Sequence, residues 1–203
     1  MHIGTEPEPI VAEDIELAAR IVGQALAERV TADWTARAGQ LTWSCRATLV
    51  HACDCVISYA SQLADRSTSD YVPMFTDVPD DATSQGLLRV ARTAAGILAA
   101  VCRDTPDDVR AFHPSGMADP EGFAAMGVAE MLVHGDDVAR GLGARLDVEP
   151  DLAYRLLARL FPDVAVTGDD PWQVLLWAHG RVDLPGRAPV REWAWSAAPA
   201  GER

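Results

Sequence analysis

At 203 residues, the chain has the length of one domain and can bury a core without disulfide or metal staples. Apolar residues make up 49% of it, yet no apolar run approaches the ~18 residues that span a bilayer, and the start Met1-His2-Ile3-Gly4-Thr5-Glu6 lacks the basic-then-apolar order of a signal peptide; a cytoplasmic protein is expected. A net charge of -13, with all 17 basic residues arginine, argues against a nucleic-acid partner, and without lysine there is no Schiff-base chemistry.

In chain order, the first helix is predicted from about Ile10 to Arg29, where Val11, Ile15, Ala18, Val22, Ala25 and Leu26 recur at the spacing of one buried stripe. After a break at Ala38-Gly39-Gln40, a second helix runs from Ser44, a suitable N-cap, to Asp65, with Leu49, Ala52, Val56, Tyr59 and Leu63 as its stripe. His51 interrupts that apolar register, so its ring needs a polar partner. The polar stretch from Ser67 to Asp81 reads as a crossing loop, and Asp81 is taken to cap a third helix that ends near Cys102.

Another long connection, from Arg103 to Asp119, carries His113 next to Pro114. Asp119-Pro120-Glu121 then combines a capping side chain, a proline at the first helical position and an acid, a strong start for a fourth helix expected to reach Leu142 and stop at Gly143. Pro150 opens a fifth, shorter helix ended by Pro162, and Asp170-Pro171 opens a sixth that stops near Gly180. The tail from Arg181 to Arg203 should be extended and pinned by Trp193 and Trp195. The expected fold is therefore all-α: a four-helix bundle with two additional short helices and a tryptophan-bearing tail, in one domain.

Chemistry concentrates on the fourth helix. Glu130 and His134 are four residues apart, one above the other on a face that also carries Gly127 and Gly141. A carboxylate and an imidazole so placed are two ligands of a zinc-like divalent ion, and His51 is the candidate third, leaving room for water or substrate. Asp54 and Asp137 each follow a histidine by three residues and are either placed to accept its second ring N–H or simply solvated at the surface. Cys55, one turn after His51, would lie on the same face and could approach the metal, although a buried structural thiol is the better account of it. His113 is a candidate general base at the pocket mouth or a loop-capping ring, Arg140 a candidate site for an anionic cofactor or substrate group or a surface ion pair, and His179 is favourably placed against a helix dipole. The four cysteines form no CxxC pair and read as reduced thiols.

The segment Glu130-x-Leu132-x-His134-Gly135-x-Asp137-x-Ala139-Arg140-x-Leu142-Gly143 resembles the E-x-L-x-H-G-x-D-x-A-R-x-L-G signature of the mycothiol-dependent maleylpyruvate isomerase family, within the DinB-like superfamily. Trp34 and the run from Trp43 to His51 resemble the stretch of that family that leads into its first metal-binding histidine, and Trp177 to Arg181 and Leu184 to Arg187 are similar to its W-x-x-G-R and L-P-G-R elements. The resemblance implies a DinB-like four-helix bundle whose metal, most often zinc, is held by His51, Glu130 and His134. It also implies activation of a low-molecular-weight thiol, such as mycothiol, for transfer to or isomerisation of a small electrophile, by a monomer or homodimer with no membrane partner. The family's additional catalytic domain is not expected in a chain this short; Asp136 stands where an aromatic residue is usual, and Trp43-Ser44-Cys45-Arg46 replaces P-G-W. Maleylpyruvate isomerisation itself is accordingly not expected. The competing readings are a non-catalytic metal or small-molecule binding module, and a hydrolase using metal-activated water with His113 as base.

Overall fold

In the computed structural model, which describes residues 7–202, regular structure is helical throughout. The expectation for Met1 to Glu6 lies outside the described residues. Six α-helices follow one another: α1 (Ala12–Leu26), α2 (Cys45–Asp65), α3 (Ser84–Asp104), α4 (Pro120–Gly141), α5 (Pro150–Leu160) and α6 (Pro171–Ala178). Short 3-10 turns extend α1 (Ala27–Arg29) and occupy Ala200–Glu202.

Three helix starts are fixed by the side chains expected to fix them. Ser44 Oγ accepts the Ala47 N–H, Asp119 Oδ1 accepts the Gly122 N–H, and Asp170 Oδ1 accepts the Trp172 N–H, each satisfying a donor that the first helical turn leaves free. The third helix departs from expectation. It begins at Ser84 under Thr83, whose Oγ1 accepts the Gly86 N–H, because Pro79 to Ala82 close a turn of their own through the Ala82 N–H and the Pro79 carbonyl. Asp81 therefore caps nothing.

The four long helices pack on one another, α4 against α1, α2 and α3, while α5 and α6 pair and dock on α4 through α5. Nearly all of α4 is buried, Glu130, Asp136 and Asp137 included. Glycine makes that possible: a side chain at Gly127 would strike Leu98 of α3, and one at Gly141 would strike the Arg37 carbonyl and Cys45. Among the described residues α3 is long and apolar enough, by length and composition, to cross a membrane, although Arg89, Arg92 and Arg103 interrupt it, so that it holds no continuous apolar run of that length. Its Leu87, Ala91, Ala94 and Leu98 face is nonetheless buried against the bundle, as in a core helix.

The tail after α6 is largely irregular, as expected, and besides Trp193 and Trp195, which pack on His179, an arginine anchors it. Arg159 of α5 donates to the carbonyls of Ser196, Ala197 and Ala198 and pairs with Asp119 at 2.7 Å. Trp195 is buried beside it, whereas Trp193 stays 38% exposed.

Candidate metal centre

α2 and α4 lie side by side and bring His51 to Glu130 and His134, so that one ligand atom from each falls within 4.8 Å of the other two. His134 Nε2 stands 3.3 Å from Glu130 Oε2, across the single helical turn that the four-residue spacing prescribes. The two imidazoles meet edge to face, their centres 5.1 Å apart. These side chains open onto a cavity of about 500 Å³ whose wall includes Trp43, Cys55, Arg181 and Trp193.

Glu130 and His134 are held from behind. Tyr59, two turns beyond His51 on α2, donates its hydroxyl to Glu130 Oε1 at 3.1 Å. Asp137 Oδ2 lies 3.3 Å from His134 Nδ1, the separation expected of a carboxylate that fixes a ring, although the two are not aligned as a full hydrogen bond. Arg181 holds Asp137 in turn, with Nε 3.2 Å from the same oxygen and Nη1 donating to the His179 carbonyl. Gly39, with φ of 51°, lets the loop before α2 close against Asp137.

These contacts set the charges. Burial alone would raise the Glu130 carboxyl, but His134, His51 and the Tyr59 hydroxyl outweigh it and hold the group below the ordinary range. For His134 burial favours the neutral ring, and Asp137 and Glu130 outweigh that, lifting it. His51, half-buried and facing His134, is lowered by burial and then by its neighbour's charge. The Cys55 sulfur, 3.5 Å from His51 Nε2, is pushed well up by burial and by Glu130, so it stays a thiol.

Other candidates lie elsewhere. Asp54 does not reach His51: its Oδ1 accepts the Thr76 N–H at 2.6 Å and ties down the loop after α2. His113 is no group of this cavity, because its ring packs behind Tyr59, with Tyr71 and Trp195 around it, and its Nδ1 accepts the Ser115 N–H. That is the loop-capping role. Burial lowers it to about 4, so it is neutral near pH 7. Arg140 pairs with the buried Asp136 at 2.6 Å and lines a separate cavity beside Trp172. His179 closes the end of α6, where its Nδ1 hydrogen-bonds the Leu175 carbonyl, and burial brings it down to about 4, so it does so as a neutral ring. Tyr59 and Arg181 were legible only as a stripe residue and a motif residue, since their partners are far away in sequence. No protein family model, no curated protein and no solved structure matches the chain.

Proposed function

We propose that the chain is a cytoplasmic, zinc-dependent enzyme that uses a low-molecular-weight thiol such as mycothiol for S-transfer to, or isomerisation of, a small electrophile. In this reading it is a divergent relative of the mycothiol-dependent maleylpyruvate isomerase family with a DinB-like four-helix bundle. The observation that carries the reading is the convergence of His51, Glu130 and His134 at the floor of an open cavity.

The residues fit such an ion. Two imidazole nitrogens and one carboxylate are a common catalytic donor set for zinc, and His51, Glu130 and His134, which would hold the ion, bring one such atom each to within 4.8 Å of the other two. The Asp137 carboxylate behind the His134 ring is the usual outer support of a ligating histidine. When bound, the ion would supply a Lewis acid that lowers the pKa of a coordinating thiol so that its sulfur is nucleophilic near neutral pH. Glu130 remains ionised through its histidine and tyrosine neighbours. Trp43 and Trp193 line the mouth of the cavity, both partly exposed.

Among the described residues, the cavity lining beyond the candidate ligands offers only Thr42, Cys55 and Arg181 as polar side chains, none of them a base for water, which favours the thiol over hydrolysis. All four cysteines are unpaired, in keeping with a reducing compartment.

Elemental analysis of the purified protein should give about one zinc per chain, and His134→Ala should lose most of it. Full retention in that variant rejects the site. Calorimetric titration of the zinc-loaded protein with mycothiol separates the enzyme from a non-catalytic module, for which no thiol binding is expected.

A further inference from the structure

Beside the metal centre lies a second cavity of about 330 Å³, lined by Tyr59, Tyr71, Val72, Pro73, Met74 and Phe75 and bounded by Asp54, Cys55 and Ser58. Cys55 is common to both cavities. The reason is the pitch of α2: His51, Cys55 and Tyr59 recur every four residues, so one helical stripe runs from the candidate metal ligand, past the thiol, to the floor of the second cavity. Tyr59 links them again, since its ring lines the second cavity while its hydroxyl holds Glu130.

The outer wall is a loop fastened at three points. Gln62 donates to the Asp70 carbonyl and accepts the Val72 N–H, and Asp54 accepts the Thr76 N–H. Between those ties Met74 and Phe75 stand 45% and 86% exposed, an unusual display of apolar surface on a loop held this firmly. The wall carries no basic side chain, and the carboxylate of Asp54 is spent on the loop backbone. An anionic group would find no cationic partner there, only the hydroxyls of Ser58 and Tyr71. An uncharged ring or branched chain would bury itself against Tyr59, Tyr71 and Met74.

We propose that this second cavity binds an uncharged aryl or branched-alkyl body carried by the electrophile, with Cys55 as the wall that separates it from the thiol at the metal. The proposal rests on the metal-site reading for the placement of the reacting end, and the cavity is tested without it.

Benzyl alcohol serves as the probe, followed by saturation-transfer NMR on the full chain. Binding to the metal-free protein is expected, retained in Cys55→Ala and weakened at least tenfold in Cys55→Phe, whose ring fills the cavity. Ser58→Phe fills it from the adjacent turn and takes over should Cys55→Phe not fold. One equivalent of Co²⁺ should then shorten the relaxation of the bound probe in the wild type and leave it unchanged in His134→Ala. Probe binding that neither phenylalanine diminishes, or no probe binding at all, overturns the proposal, and so does stoichiometric cobalt that leaves the probe's relaxation untouched. Cobalt that fails to bind rejects the metal site, and the phenylalanine variants then decide the cavity alone.

Discussion

Tyr59 shows how much a single hydroxyl can decide at a buried carboxylate. Its donation to Glu130 is one of the contacts that keep an otherwise disfavoured charge in the bundle interior. Burial raises the phenol well above its ordinary value, so it is a permanent donor over the working pH range. Tyr59→Phe removes that donor and keeps the ring. Zinc affinity should fall on the order of tenfold, as it does when an outer support of a ligand is removed, and chelator competition would measure it. Asp137→Ala should act in the same direction through His134, while Arg140→Gln, on the other side of α4, should leave zinc affinity unchanged.

At the level of helices, what was legible is what local rules control. Ser44, Asp119 and Asp170 announce their helices because a cap acts within three residues, and the pairing of Glu130 with His134 is fixed by the helix they share. What was illegible depends on which way an element faces. Arg140 follows His134 by six residues, about 240° further around the helix, and so points at Asp136 and Trp172 instead of the candidate metal ligands. Asp54 has the right spacing to His51, but the backbone of the next loop takes it first. Arg181 meets Asp137 only because the chain just after α6, carried to α4 by the pairing of α6 with α5, returns to it, a contact with no trace in either segment alone. Packing also gives two helical glycines opposite signs. Gly141→Ala thrusts a methyl at the Arg37 carbonyl and the Cys45 sulfur and should destabilise the fold by roughly 1–3 kcal/mol. At Gly96, on α3, nothing lies within 4 Å of the added carbon, and Ala should stabilise by up to about 1 kcal/mol. Urea denaturation of both variants checks the pair, and equal shifts would contradict this account.

Across the whole molecule, the tail acts as a cover for two neutral histidines. Trp195 packs on both His113 and His179, Trp193 packs on His179, and Arg159 fixes the carbonyls that follow. Burial brings both rings down to about 4 in the fold, against about 6.5 in an unfolded chain. Above pH 6.5 both states are neutral, and the histidines do not affect the balance. Between 6.5 and 4 the unfolded chain takes up protons that the fold refuses, so stability falls as the pH falls, by up to on the order of 3 kcal/mol per histidine, and levels off below 4. His179→Phe keeps a ring among Phe161, Trp193 and Trp195 and removes the titration. At neutral pH it should cost about 1 kcal/mol for the lost bond to the Leu175 carbonyl. Urea midpoints at pH 7, 5.5 and 4.5 should then show the variant overtaking the wild type as the solution is acidified. Parallel pH profiles would mean that the tail does not hold this ring away from protons, and that the acid sensitivity of the fold lies in its carboxylates.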